Sequence, residues 1–211
     1  MIGRRRLFVI IVAVLLGIVV YTGFVTTPPG PRDVRAFDPD RTAAIEVGMW
    51  KAYYDQRRAA LFFDLVTLTR ETYRCPRSTA VRIAFHFARA ASTFANIRTA
   101  YEQLLPDIED GYRIARDWSG LTYDPDVIAK AELAWWIARR IPGKDSAEQV
   151  GGLIADLNAQ FYGVSRDKVL EASILRARAG RLRDAGGPYA NWPEIGRLLT
   201  ESYRSLHKAV N

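Results

Sequence analysis

The hydrophobic pattern begins with one long apolar stretch, Leu7–Val25, in which no residue is charged. A helix of this length, about 19 residues, rises about 28 Å, which is close to the thickness of the hydrocarbon core of a bilayer. The stretch is longer than the apolar core of a signal peptide, and no small-x-small cleavage site follows it. The pattern therefore predicts an uncleaved N-terminal transmembrane helix.

The charges on either side of this stretch predict its orientation. Three arginines, residues 4–6, precede it, whereas Arg32 and Arg35, offset by Asp33, follow it. The positive-inside rule then predicts a single-pass protein with a cytoplasmic N-terminus and an extracytoplasmic, periplasmic body. The predicted organisation is a basic flank (1–6), a membrane anchor (7–25), a Pro-rich linker (26–37) and a helical domain (38–211).

The first helix of this domain is predicted to run from Asp38-Pro39, a typical helix start, to Arg74, just before Cys75-Pro76. Projected at 100° per residue, it has two apolar faces, which is typical of a helix central to a bundle. A narrow polar line separates these faces and is predicted to point inward or into a cleft. The line consists of Glu46, Tyr53, Arg57, Asp64 and Glu71.

The polar line has two interpretations. Arg57 and Asp64 have no opposite charge three or four residues away, so, if buried, they need partners on other helices. One interpretation is a ligand- or metal-binding site, joined by His86 from the polar stripe of the next predicted helix, Arg77–Leu105. The other is a structural ion-pair network or a solvated stripe. The sequence does not indicate which metal would bind.

The remaining pattern predicts further helices separated by Pro and Gly. Asp124-Pro125 repeats the Asp-Pro start, and Asp145–Glu148 resembles a capping box. Dense Val/Ile runs occur only in residues 7–25, so we expect no strand. The predicted fold class is all-α, with one N-terminal transmembrane helix and a body of about six or seven helices.

One local stretch resembles a known motif. Ala159, Gly163-Val164-Ser165 and Val169 have the spacing of the turn in a helix-turn-helix DNA-binding motif. The resemblance covers about 20 residues and implies a recognition helix from Arg166, with Lys168 and Arg176 directed toward DNA. Glycine at a helix end and serine at the next helix start are also ordinary helix-hairpin chemistry. The DNA-binding alternative applies only if the domain is cytoplasmic.

Composition adds little to this picture. The net charge is +7, but residues 1–37 contribute five Arg and one Asp, so the basic balance gives no argument for nucleic acid, and none is expected as a partner. A single cysteine excludes an intramolecular disulfide and a CxxC redox pair. No GxSxG, P-loop, HExxH, GxGxxG or Glu-x-x-His motif occurs, so we expect no cofactor and assign no catalytic residue. An enzyme stays an alternative, because carboxylates alone can do acid–base work.

The leading hypothesis is therefore a membrane-anchored, non-catalytic interaction or assembly module, such as an accessory subunit of an envelope complex. Its expected partners are the bilayer, through Leu7–Val25, and one or more proteins at the membrane. Surplus aromatic and arginine pairs favour protein partners, because these residue types are enriched at interfaces. The alternative is a helical bundle that binds a ligand or metal through Glu46, Tyr53, Arg57, Asp64, Glu71 and His86.

Overall fold

A computed structural model describes the backbone of residues 4–211 and the side chains of residues 10–211. Helices account for the secondary structure of this part of the chain, so the all-α prediction is confirmed. The α-helices are α1 (Arg4–Val25), α2 (Pro39–Tyr54), α3 (Arg58–Tyr73), α4 (Arg77–Asn96), α5 (Leu105–Ser119), α6 (Pro125–Ala138), α7 (Ala147–Tyr162), α8 (Arg166–Gly186) and α9 (Trp192–Val210). Short 3₁₀ turns occupy Val34–Ala36, Tyr101–Leu104 and Gly187–Tyr189.

Three of the helix starts are those that capping chemistry predicts. The Asp38 carboxylate accepts hydrogen bonds from the backbone amides of the first turn of α2, and Asp124 does the same for α6. Ser146 Oγ accepts from the Gln149 amide at 3.1 Å and caps α7. These side chains accept from amides that have no partner within the helix. Because cap and amide are close in sequence, the helix start can be predicted from a short stretch of residues.

The predicted first helix is wrong in length, because two helices occupy its place. The chain turns at Asp55–Arg57, where Gln56 has a left-handed backbone (φ 57°), and α3 returns along α2. The turn contains neither Gly nor Pro, so the sequence carries no breaker signal there. The predicted second helix likewise ends at Asn96 instead of Leu105. As a result, the body contains eight helices, α2–α9, and the predicted six or seven is too few.

The predicted transmembrane helix is not supported. In the part of the chain that the structure describes, no helix is both long and apolar enough to cross a membrane. The single-pass anchor and the location deduced from it are therefore wrong on this finding. The predicted basic flank and Leu7–Val9 lie outside the described side chains.

The eight body helices form a closed circuit. Each helix from α2 to α8 packs against the next in sequence, and α9 packs against both α8 and α2. The segment predicted as a linker lies against this circuit: Val34 and Phe37 are buried in the core, and Arg35 donates to the Tyr162 carbonyl at 2.6 Å. The ends of the body sequence are thus packed together.

The closest helix approach that a glycine permits is between α7 and α8. A methyl group on Gly151 would lie 2.7 Å from Ile174 Cα, a backbone atom that cannot move aside. Gly180, in α8, offers the opposite case, because a methyl group there would meet nothing within 4 Å. The two glycines form a matched pair for testing how tightly these helices pack.

We predict that Gly151→Ala lowers the free energy of unfolding by about 1–3 kcal/mol, because overpacking forces α7 and α8 apart. Gly180→Ala should instead raise it by up to about 1 kcal/mol, the difference in helix propensity. Urea unfolding followed by circular dichroism measures both. Equal shifts for the two variants would contradict the close α7–α8 contact.

Candidate functional site

The residues of the predicted polar line lie on different elements and have different neighbours. Glu46 and Tyr53 lie on α2, Arg57 lies in the turn, and Asp64 and Glu71 lie on α3. His86 lies on α4. Because the chain reverses after Tyr54, these side chains do not follow one helix face, and each must be considered with its own neighbours.

Glu46 is the centre of a buried cluster that joins three helices. Its carboxylate is 1% exposed and accepts from Arg176 of α8 and from the Tyr203 hydroxyl of α9, each at 2.6 Å. Burial lowers the pKa of Arg176, but the Glu46 carboxylate outweighs this effect and raises it overall. Burial, followed by the Glu46 charge, raises the pKa of Tyr203 well above its ordinary value. The cluster is therefore an ion pair with a neutral phenol that donates to it.

Two more arginines, Arg139 and Arg183, lie near this cluster, and each contacts an aromatic ring or a carboxylate. Trp135 of α6 lies within 6.0 Å of both the Arg139 and the Arg176 guanidinium, measured to its ring centroid. Arg183 lies 2.6 Å from Asp184, which also accepts from Tyr54 at 3.4 Å. Burial, followed by repulsion from Arg183, lowers the pKa of Arg139. This part of the body is thus rich in arginine, and each guanidinium group is paired with a carboxylate or packed against an aromatic ring.

Glu71 belongs to a different ion-pair network. Its carboxylate is nearly fully buried and lies 3.2 Å from Arg41 of α2 and 3.5 Å from Arg74. Arg74 is itself buried and also donates to the carbonyls of Pro29 and Pro31. Glu71 therefore connects the α2–α3 hairpin to the segment that precedes it.

His86 joins α4 to α5. Its Nδ1 lies 3.1 Å from Asp107 Oδ1 and 4.0 Å from Asp110 Oδ2. Arg89 Nε donates to Asp107 Oδ2 at 2.5 Å. Burial raises the pKa of Asp107, but the hydrogen bonds from Arg89 and His86 outweigh it and lower the pKa overall. The arrangement is a charged hydrogen-bond network between two helices.

The remaining predicted residues are less enclosed. Tyr53 is 51% exposed, and Arg57 pairs with Asp55 at 3.2 Å within the turn. Asp64 is half-buried and faces α2, since a methyl group on Gly48 would lie 3.8 Å from its Oδ2. Among the described side chains, no group of three or more His, Cys, Asp or Glu is placed to hold a metal ion.

An aromatic surface that the sequence analysis missed lies at one end of the bundle. Tyr53 and Tyr54 contact edge to face with centroids 5.1 Å apart, and Tyr54 lies 6.1 Å from Trp192. Trp192 Nε1 donates to the Pro188 carbonyl at 3.3 Å, next to Tyr189, which is 95% exposed. We call Tyr53, Tyr54, Tyr189 and Trp192 the aromatic end. The Tyr53-Tyr54 pair is a sequence signal, but its contact with Trp192 depends on the return of α9 to α2.

The stretch that resembles a helix-turn-helix is a hairpin of α7 and α8. Gly163 ends α7 with a left-handed backbone (φ 64°), and Ser165 immediately precedes α8. Lys168 is exposed, but the Arg176 guanidinium lies against Glu46 and Trp135 in the body. Arg176 is therefore engaged with the protein itself, in contrast to the role that the resemblance implies.

These features define a class: an all-helical protein in which the buried Glu46 carboxylate joins the first helix of the body to the last two, and in which four aromatic side chains, two of them exposed, lie together at one end. Comparison of the chain with models of protein families, with curated proteins and with solved structures finds no match in any of the three.

We predict that Glu46→Gln lowers the free energy of unfolding by about 3 kcal/mol, because it leaves Arg176 without its counter-charge. This is the lower end of the range for buried pairs, since the Arg176 side chain is 27% exposed. Asp40→Asn is the matched control, because it breaks the exposed Asp40–Arg204 pair and should change stability little. Chemical denaturation measures both; similar losses would show that burial does not strengthen the Glu46 pair.

We predict that the contribution of Asp107 to stability depends on pH. Its pKa is lowered in the folded protein, so its stabilisation is present above the ordinary carboxyl range and is lost as pH falls through its folded pKa. The stability difference between the original chain and Asp107→Asn should therefore narrow between pH 5 and pH 3. Urea midpoints at several pH values measure it, and a constant difference would contradict the network.

Proposed function

We propose that this chain is a non-catalytic helical interaction module that binds an acidic segment of a protein partner through its aromatic end. The observation that carries the proposal is the exposure of Tyr53 and Tyr189 beside a fixed Tyr54–Trp192 contact. Tyr and Trp dominate the energetics of protein interfaces, because they bury a large area and lose few rotatable bonds. Tyr189 at 95% exposure contributes almost nothing to the folding of this chain.

The charges around the aromatic end favour an acidic partner. Lys51 Nζ lies 5.6 Å from the Trp192 ring centroid, and Arg58 is exposed at the start of α3. Arg57 is also exposed, and its nearest acid, Asp55, offsets one of these three positive charges. Asp184, which accepts from the Tyr54 hydroxyl, is itself paired with Arg183. The end therefore presents a net positive charge next to aromatic rings, which complements carboxylates and attracts them over a distance limited by salt screening.

The buried carboxylates support a non-catalytic role. Glu46, Glu71 and Asp107 are each held by arginine, so their charges are used in joining helices. A general acid or base must exchange a proton with a substrate that it can reach. Carboxylates enclosed by guanidinium groups meet this requirement poorly, whereas they suit a rigid scaffold that presents a binding surface.

We predict that a photo-crosslinking residue placed at Tyr189 captures one protein in the cells that naturally produce this chain. The same residue at Phe85 is the matched control, because Phe85 is also an exposed aromatic but lies on α4. Tyr53→Ala should suppress the crosslink from position 189, and raised salt should weaken it. Mass spectrometry of the crosslinked peptide should identify an acidic segment.

Three results would overturn the proposal. The first is equal capture from positions 189 and 85, which would indicate random collision. The second is no capture from position 189 in cells where the chain is folded, as its circular dichroism after purification would show. The third is capture that neither Tyr53→Ala nor salt reduces, because the aromatic and basic groups would then have no part in binding.

A further inference from the structure

A cleft on a different part of the bundle has the size of a small-molecule site. It has a volume of about 470 Å³ and lies beside the C-terminal end of α4, the 3₁₀ turn Tyr101–Leu104 and the chain that follows α6. This volume falls within the range of about 300–1,000 Å³ that is typical of ligand pockets, although the cleft is open to solvent and its residues Arg98, Ile141 and Pro142 are exposed. The cleft is lined by Arg98, Tyr101, Arg140, Ile141 and Pro142.

Two guanidinium groups converge in this cleft on one backbone carbonyl. The Ile97 oxygen accepts from Arg98 Nη1 at 2.8 Å and from Arg140 Nη1 at 3.0 Å. The two Nη1 nitrogens therefore lie within about 6 Å of each other. Arg98 Nη1 also donates to the Ala95 carbonyl at 3.0 Å, and Arg140 Nη1 to the Phe94 carbonyl at 2.8 Å.

Arg140 is held rigidly in this position. Its guanidinium lies 3.5 Å from the centroid of the Phe94 ring, and its two hydrogen bonds bind it to the end of α4. In the hydrogen bonds among the described residues, both arginines donate only from Nη1. Their other N–H groups are therefore available for a further acceptor, and a planar, fixed guanidinium suits a carboxylate or phosphate that accepts two hydrogen bonds.

These two charges differ from the arginines inside the bundle. Arg176 and Arg183 each lie 2.6 Å from a carboxylate, whereas no ion pair of Arg98 or Arg140 occurs within the described part of the chain. The lining residues of the cleft include no acid. Two like charges held close together without a counter-charge create a positive potential that an anion would relieve.

The rest of the lining is apolar or aromatic. Ile141 and Pro142 form part of the wall, and the Tyr101 ring packs against Phe94 with centroids 5.3 Å apart. An inorganic ion would leave this surface in water. A small organic molecule that carries its charge at one end would cover the apolar wall and place the charge on the arginines.

We propose that this cleft binds a small organic anion, with a carboxylate or phosphate group on Arg98 and Arg140 and an apolar group against Tyr101, Ile141 and Pro142. The lining of the cleft shares no residue with the aromatic end, and the proposal does not depend on the function proposed for that surface.

Calorimetric titration of the full chain with four probes tests the proposal. The probes are phenyl phosphate, benzoate, inorganic phosphate and benzyl alcohol, which separate the phosphate, carboxylate, inorganic and neutral cases. We expect saturable 1:1 binding of phenyl phosphate or benzoate, at least tenfold tighter than that of inorganic phosphate or benzyl alcohol. The stronger of the first two identifies the anionic group that the cleft prefers.

Two arginine variants localise the binding. Arg98→Ala should weaken it at least tenfold, because one of the two charges is lost. Arg178→Ala removes the same charge from an exposed position on α8, where Arg178 pairs with Glu148, and should leave affinity unchanged. In NMR spectra, the Nε–Hε signals of Arg98 and Arg140 should shift on titration with the bound probe.

Several results would overturn the proposal. They are equal affinity of the Arg98→Ala and Arg178→Ala variants, benzyl alcohol binding as tightly as the anions, and no saturable binding of any probe at millimolar concentration. Thermal melting of Arg98→Ala distinguishes lost binding from lost folding. Arg140→Lys keeps the charge but removes the planar guanidinium, so it should also weaken binding if the variant melts normally.

Discussion

The buried Glu46 carboxylate is the constraint around which the body of this protein is arranged. It lies on the first helix of the body and receives hydrogen bonds from α8 and α9, which are the last two. A carboxylate at 1% exposure requires both a counter-charge and hydrogen-bond donors, because its isolated burial would cost several kcal/mol. Arg176 and Tyr203 meet this requirement only when the circuit of helices is closed.

The same principle explains how charge is divided in the molecule. Arg176 of α8 pairs with the buried Glu46 of α2, and Arg41 of α2 pairs with the buried Glu71 of α3, so these charges stabilise contacts between helices. At the aromatic end and in the cleft near α4, positive charge exceeds negative charge among the neighbouring residues. Paired charges join the helices of the body, whereas the excess positive charges carry the two binding sites that we propose.

Parts of the fold could be predicted from sequence because their causes are local. Asp38, Asp124 and Ser146 cap their own helices through amides two or three residues away, so each signal is contained in one short stretch. The break at Gln56 was not predictable in this way, since its left-handed backbone involves neither Gly nor Pro. This single turn divided the polar line between two helices and changed the surroundings of each candidate residue.

The sequence by itself determined that the chain is helical, where several helices begin, and that Glu46, Glu71 and His86 lie on polar stripes of the predicted helices. Only the tertiary structure decided their partners: Arg176 and Tyr203 lie at least 130 residues from Glu46, and Asp107 lies 21 residues from His86. The same is true of the two arginines that meet at Ile97. Helix caps depend on short-range backbone geometry, whereas ion pairs and clefts depend on which distant helices pack together, and periodicity along one helix does not contain that information.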